Sequence, residues 1–521
     1  MKKSLKITAA ILAAGLSLTS LVGCKRKTSP NSANDVEISF WTAGFGEAYM
    51  DKIIAGFNAK YPEYHAFKTS GRDPLTLSNT LKLGKNDTTD IYFSSNDALI
   101  NYRDMFMDLS DIAESKIDGE DKSIKDKYDA SLYKSLKNPD GSLDTLGWAG
   151  APAGIMYNAD IIDGKTYKVP KTTDQLYKLA SAIRGNTEIY DIKNFTPFVS
   201  FTDGGYYLYA VKTWMAQYTG IDYYMNNWLQ LKDANGKSPS EEVYLSDTDG
   251  KKQALEVMSQ IFQNGYLLYG SNTMSKDSAQ TKFMLGNAAM MLNGTWMYNE
   301  AQASGSKDKN FKMMRTPVIS AIIDKCPSLS EDAELAAVVE AVDNYLDNGG
   351  EKVLVCDDYE ITEEEWDRIL SARKYIYHNG SEHLLVVNKY TNAKEGVKKF
   401  IQYYYSDAGL AAFINTTHAA ANASLTDASL IDYTGWTNYE KELYADSSKF
   451  TYITDGNARS PMFTKNPMKV YGTTSVVPAL NAPRDKDVTT EMVCEKVWKA
   501  FLENANKNWS IWAKNAGYKN S

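Results

Sequence analysis

Apolar and polar positions alternate over Val36–Trp41, a stretch rich in β-formers, which predicts a strand. Thr42–Gly46 reads as a loop. From Glu47 onward Met50, Ile53, Ile54 and Phe57 share one helical face. Thr89–Phe93 followed by Ser94–Asp97 repeats the strand-to-loop unit. Ser95 or Asn96 there caps the next helix, and Asp97 suits either a cap or a hydrogen bond to a ligand. Thr172 or Thr173 starts a helix running to Ala180, with Asp174 favourable to its dipole. Asp203-Gly204-Gly205-Tyr206-Tyr207 leads into an aromatic helix bearing Trp214 and Tyr218. It reads either as a close backbone approach to a ligand, with Tyr206 offering ring and hydroxyl, or as a turn before a core helix. Gly250 precedes a helix with Ala254, Leu255, Met258, Ile261 and Phe262 on one face, and Gly265 ends it. Lys282–Trp296 reads as a loop with Gly286, a buried strand Ala288–Leu292, a turn at Asn293-Gly294, and Trp296 just past it. Open α/β sheets hold ligands at the carboxyl ends of strands. Trp41, Phe45 and Trp296 fall at such ends, where each either lines a site or packs a core.

The first residues follow a different pattern. Lys2, Lys3 and Lys6 precede an apolar run, Ile7–Leu18, too short to span a bilayer comfortably. Leu21-Val22-Gly23-Cys24 looks like the lipobox of bacterial lipoproteins, so residues 1–23 are expected to be a leader and Cys24 the lipidated first residue. Two acyl chains suffice for stable anchoring. Residues 24–35, with Ser29-Pro30-Asn31-Ser32, read as a tether. This implies anchoring on the extracytoplasmic face of the cell membrane.

Composition narrows the function. With 521 residues, 12% of them aromatic and 23% charged, the chain is globular and long enough for two or three domains. Losing Lys2, Lys3 and Lys6 with the leader moves the net charge from −8 to −11. No basic tract follows residue 27, which argues against a nucleic-acid partner. Three cysteines remain after Cys24, namely Cys326, Cys356 and Cys494, and read as free thiols, with a Cys326–Cys356 pair left open.

Several motifs together resemble the sugar-binding group of extracellular solute-binding proteins of bacterial ABC importers. They are Phe283-x-x-Gly286-x-Ala288-Ala289-Met290-x-x-x-Gly294-x-Trp296, Pro152 with Tyr157-Asn158-x-Asp160, Val169-Pro170 before the Thr172 helix, and Phe400 with Ser406 and Gly409. They spread over residues 36–320 and 383–425. The resemblance implies an α/β, two-lobed, periplasmic-binding-protein-like fold of type II, with the ligand cleft between lobes and three hinge crossings. It places the crossings near Gly147–Asp160, Met314–Val318 and Asn415–His418. Lobe 1 is then 36–148 and 316–414, with an acidic insertion at about 326–381, and lobe 2 is 149–315 and 415–521. The implied ligand residues are Trp41, Phe45, Glu47, Asn96, Asp97, Asp203, Tyr206, Asn293, Trp296 and His418. The implied partners are a carbohydrate and permease subunits, with a monomeric receptor.

The chemistry on offer agrees with that expectation. None of the four histidines has the spacing of a His-Glu-x-x-His zinc site, and no Gly-x-Ser-x-Gly elbow appears. No cofactor or metal is expected. With 35 Tyr and 10 Trp the chain is equipped for stacking and hydrogen bonding. A pyranose offers an apolar C–H face to aromatic rings and hydroxyls to polar side chains. Another solute in the same fold (a peptide, polyamine or anion) and a glycan hydrolase are the alternatives.

Overall fold

The computed structural model describes residues 32–138, 140–186, 195–201, 205–229, 246, 249–263, 265–297, 300, 310–356, 359–447, 449–455, 480 and 485–515. In chain order the strands are β1 (Asp35–Trp41), β2 (His65–Gly71), β3 (Ile91–Ser95), β4 (Leu146–Gly147), β5 (Pro152–Asn158), β6 (Thr196–Val199), β7 (Ala288–Gly294), β8 (Phe311–Met313), β9 (Val355–Cys356), β10 (Tyr359–Glu360), β11 (Tyr375–His378), β12 (His383–Val387) and β13 (Thr451–Ile453). Two large sheets result, ordered β2-β1-β3-β12-β4 and β13-β11-β5-β7-β6, with β8 also on β5. The fold is α/β with two lobes.

Each sheet organises its own core. On β1 the alternating Val36, Ile38 and Phe40 are fully buried and meet Met50, Ile53 and Phe57 of the helix Ala48–Lys60. The second sheet is sealed on both faces, so every residue of β5 and β7 is buried and the strands read as continuous apolar runs. Trp214, Trp228, Met258 and Ile261, from three helical segments, pack into the core of this lobe.

The strand β7 is longer than the sequence implies. Asn293-Gly294 continues the ladder, pairing with Gly154 and Ala153 of β5, and there is no turn there. Tertiary pairing overrides the local turn preference of Asn-Gly.

The chain leaves the first sheet at 148–151, between β4 and β5. It returns at 379–382, between β11 and β12. The expected crossing at Met314–Val318 is not one, because Met314 N bonds Ile155 O and Val318 N bonds Lys171 O, both in the second lobe. Residues beyond Asn415–His418 also stay with the first lobe at first. Ala423 bridges Tyr128, and Ile431 and Trp436 lie in the first core. The third passage is the helix Asn438–Ser447, where Glu440 meets His418 while Glu442 meets Lys312 of β8.

Residues 326–381, expected as a peripheral insertion on lobe 1, pack instead into the core of lobe 2. Leu335, Val338, Val339 and Val342 of the helix Asp332–Asn348 join Trp366 and Ile369 of the helix Glu363–Lys374 there. An ion pair ties the two helices together: Arg373 Nε and Nη2 reach Asp343 at 2.7 and 2.9 Å. Burial pushes the Asp343 carboxyl up, but hydrogen bonds from Arg373 and Lys171 overcome it and hold it well below the usual carboxylate range. The last strand of the segment, β11, is an inner strand of the second sheet. Cys326 and Cys356 are both buried and are not joined to each other by a disulfide.

Candidate functional site

The first two crossings run side by side and come closest at Gly150 and Gly380. Ala151 N donates to Asn379 Oδ1 at 2.8 Å, and Asn379 N donates to Ala151 O. A Cβ on Gly150 would sit 2.6 Å from Gly380 Cα and from the His378 ring. Only glycine permits this approach. His378 and His383 flank the second crossing. Burial holds the imidazoles down to about 3 and about 4, the charge of His383 adding to the shift at His378. Both are neutral near pH 7.

Beside this hinge a narrow cavity separates the lobes. Phe45 and His418 line it from lobe 1, Thr295 and Trp296 from lobe 2, with Tyr439 and Glu440 of the third passage closing it. It holds about 20 Å³, room for one or two waters. On the lobe 1 side Trp41 stacks on His383 at 5.0 Å and 6°, and Phe45 meets Trp148 edge-on. Trp41 Nε1 donates to Arg72 O, which fixes the ring.

On the lobe 2 side the Trp296 ring folds back over the end of β7. A Cβ on Gly294 would meet its ring at 2.0 Å, so glycine there is what lets the indole lie down. Tyr206 and Tyr209 present their rings at 78° and 90° to it. Tyr377 of β11 stacks on Tyr209 at 4.6 Å. Trp296 and Tyr206 remain half-buried, whereas Tyr209 and Tyr377 are buried.

Charged groups border these rings. Lys212 Nζ donates to Asp455 Oδ2 at 2.5 Å and lies 5.0 Å from the Tyr377 ring centroid. The Tyr377 hydroxyl donates to Asp455 at 3.0 Å and to Glu382 Oε1 at 3.4 Å. Glu382 belongs to the second crossing. Burial pushes its carboxyl up to about 7, helped by the charges of Asp455 and Asp97 and opposed by Lys212.

The structure brings Phe45, Trp296 and His418 to one cavity, with Trp41 and Tyr206 immediately behind. His418 is the left-handed cap of the helix Asp407–Thr417, stacks on Trp436 and bonds Glu440 at 3.0 Å. Asn96 and Asp97 lie by the second crossing: Asn96 N donates to Glu382 O, and the Asn96 amide is buried with no partner for either end. Glu47 is not brought to the cavity. Lys68 and Ser70 of β2 bind its carboxylate at 2.8 and 2.7 Å and hold it below its ordinary range. Asn293 is buried inside β7, its Oδ1 taken by Gly294 N. Asp203 and Cys24 lie outside the described residues.

Sequence reasoning missed Tyr209, Lys212, Tyr377, Glu382 and Asp455. Tyr209 and Lys212 follow Tyr206 by one helical turn and nearly two, which was a usable signal. The other three come from separate segments and share no local pattern. No helix among the described residues is long and apolar enough to cross a membrane.

The family described as bacterial extracellular solute-binding protein matches residues 52–430 of this chain. No curated protein matches. Among solved structures, a family 1 extracellular solute-binding protein from Bifidobacterium longum subsp. infantis is 16% identical, with TM-score 0.56, covering 91% of this chain and 100% of that one. The bacterial solute receptor AcbH, described as having an exclusive preference for β-D-galactopyranose, is 14% identical, with TM-score 0.58, over 91% and 99% of the two chains. RafE, known from Streptococcus pneumoniae and solved with raffinose, is 14% identical, with TM-score 0.52, over 90% and 99%. At these identities the likeness is one of fold.

Proposed function

Because this chain belongs to the family of bacterial extracellular solute-binding proteins, we propose that the solute it captures is a carbohydrate, an oligosaccharide, gripped between the lobes. The observation that carries this reading is the pairing of aromatic surfaces across the cavity: Phe45, with Trp41 behind it, on one lobe, and Trp296, with Tyr206 behind it, on the other. Ring faces take the apolar C–H face of a pyranose, and Glu382, Asp97 and the Asn96 amide supply acceptors and donors for hydroxyls. The sugars named for AcbH and RafE support the same class.

The receptor works as a monomer, held to the outer face of the cell membrane by lipid on Cys24, and hands its ligand to permease subunits of an importer. The carboxyl ends of β1 and β7 meet the cavity, which suits capture and release by movement about the crossings at 148–151 and 379–382.

Purified protein incubated with a panel of oligosaccharides tests the ligand class. A binder should raise the melting temperature, reflecting about 2.7 kcal/mol at a hundred times Kd, and should be recovered uncleaved. Binding of peptides or anions with no response to any glycan would overturn the reading, and cleavage would favour a hydrolase. For the anchor, Cys24→Ala should leave uncleaved precursor or release protein into the medium. Processing and membrane retention unchanged by that substitution would rule out lipidation.

A further inference from the structure

We propose that the cleft selects cationic ligands, and that the carbohydrate it takes carries a free amine. This rests on the carbohydrate reading above and adds the charge of the ligand.

The first observation is a surplus of carboxylates around the aromatic rings. Glu382, on the second crossing, faces Asp97 from lobe 1 and Asp455 from the end of β13 in lobe 2. Glu300 and Asp277 add their fields at Tyr206. Against these five stand two lysines among the described residues. Lys212 is engaged by Asp455, and Lys276 by Glu300 and Asp277 at 3.2 and 3.8 Å. Glu382 has a single described hydrogen bond to its carboxylate, the long one from Tyr377. The histidines next to it, His378 and His383, are neutral and give no relief.

The second observation is independent of charge. Both ends of the Asn96 amide and the Ser381 hydroxyl are buried without partners. Ser381 precedes Glu382 in the chain, and Asn96 N is bonded to Glu382 O at 2.9 Å. Buried polar atoms are nearly always satisfied in native proteins, so unpaired ones beside an uncompensated carboxylate mark a place prepared for donors and acceptors from outside.

The third is the ring arrangement. Trp296 and Tyr206 are half-buried and edge-on to one another, and the charge of Glu382 is felt at Tyr206. An ammonium is attracted to the faces of such rings, and a carboxylate beside them adds to the attraction. An amine on a sugar would meet both, while its remaining hydroxyls would use the Asn96 and Ser381 groups. Burial raises the Glu382 carboxyl first, and the charges of Asp455 and Asp97 raise it further against Lys212, so a ligand ammonium would supply counter-charge that the site lacks. A uronate or sialic acid would be repelled by the same groups.

The experiment compares ligands matched in all but charge. Oligomers of gluco, galacto and manno configuration are used with an amine, a hydroxyl or a carboxylate at one position. A linear polyamine is the non-sugar control, and titration calorimetry at low and high salt is the readout. The amine form should bind at least tenfold tighter than its hydroxyl partner at low salt, with the ratio shrinking at high salt. The carboxylate form should not bind. Glu382→Gln should collapse the amine-to-hydroxyl ratio, and a melting curve on the variant confirms folding. The wild-type comparison stands alone should that variant fail to fold. Hydroxyl and amine forms bound equally, or a bound uronate, would overturn the charge selection and leave the carbohydrate reading intact. A polyamine bound with no sugar bound would overturn the carbohydrate reading and retain the charge selection. Silence from every ligand would count against both.

Discussion

At the scale of single residues, Trp296 and Glu382 carry the most consequence. Trp296 lies half-buried over Gly294 with two tyrosines edge-on to it. Removing it should cost about 0.5–1.5 kcal/mol of stacking, plus lost apolar contact, so Trp296→Ala should weaken sugar binding at least about tenfold. The same variant should lose less stability than the ~3–5 kcal/mol of a core Trp deletion. Gly294→Ala should mimic the loss of affinity, because its new methyl would occupy the place of the ring. A large fall in melting temperature with affinity intact would show that the indole is a core group. Glu382 makes a prediction about pH. Its carboxyl is raised from 4.5 to about 7, by burial first and then by Asp455 and Asp97. The folded chain therefore keeps a proton that the unfolded chain has lost between those values. The resulting stability is fully present below about pH 4.5 and is lost as pH rises through 7. Glu382→Gln stays neutral, so its unfolding free energy should gain on the wild type between pH 5 and pH 8, on the order of 1–3 kcal/mol, read from melting curves across that range. His378 and His383 act with the opposite sign. Their depressed values give stability above 6.5 that is lost as pH falls, and they do so in both proteins, so the difference isolates Glu382. A pH-independent difference would show that Glu382 is ionised and compensated. Trp296 was legible in the sequence because a glycine and an apolar run precede it. Glu382 was not, since nothing local marks an acid whose neighbours come from β13 and from the start of the helix after β3.

At the scale of elements, the periodicities that sequence displays were those that local packing enforces. The alternation of β1 and the apolar run of β7 follow from one buried face and two buried faces respectively. The segment 326–381 read only as an acidic insertion, and the destination of its helices at 332–348 and 363–374 was not visible. An acidic exterior made them look peripheral, whereas Val338, Val342, Trp366 and Ile369 are completely buried in the lobe 2 core. The second crossing was misplaced for the same reason, because the lobe to which 314–374 belongs is decided by long-range contacts that no spacing encodes. The Asp343–Arg373 pair tests the integral role of this segment. Arg373 is 3% exposed and bonds both Asp343 oxygens, so Arg373→Met leaves a buried carboxylate short of its strongest partner. Such a loss costs about 3–5 kcal/mol, towards the lower end here because Lys171 and Arg315 still reach Asp343. Denaturant unfolding should show that loss, and a loss below about 0.5 kcal/mol would mean that the pair contributes little to holding the two helices together.

At the scale of the whole molecule, the arrangement of crossings dictates how a ligand enters. The two glycine-tight crossings at 148–151 and 379–382 are hydrogen-bonded to each other, so they move together as a pivot. The helix Asn438–Ser447 grips both lobes at once, through His418–Glu440 on one side and Lys312–Glu442 and Arg315–Asp446 on the other. Opening must therefore part Phe45 from Trp296 while this helix follows one lobe. The pairs to Lys312 and Arg315 are the weaker hold: Lys312–Glu442 is solvated and such pairs contribute about 0–1 kcal/mol, and Arg315 reaches Asp446 only at 3.7 Å while bound to Asp343 and Asp347, whereas Glu440 is buried and also caps its own helix through Thr437. The helix should thus travel with lobe 1. A cavity with room for one or two waters cannot admit a pyranose, so the lobes must be apart when ligand arrives and close afterwards over a different volume. Small-angle scattering checks this directly. The free protein should have a larger radius of gyration than the closed arrangement, and saturating ligand should shrink it. Lys312→Ala should enlarge the free form further and weaken binding slightly, because it removes a contact made only when the lobes meet. Scattering curves that coincide with and without a ligand that demonstrably binds would mean that the solute enters without lobe movement, and the pivot at the paired crossings would then be rigid.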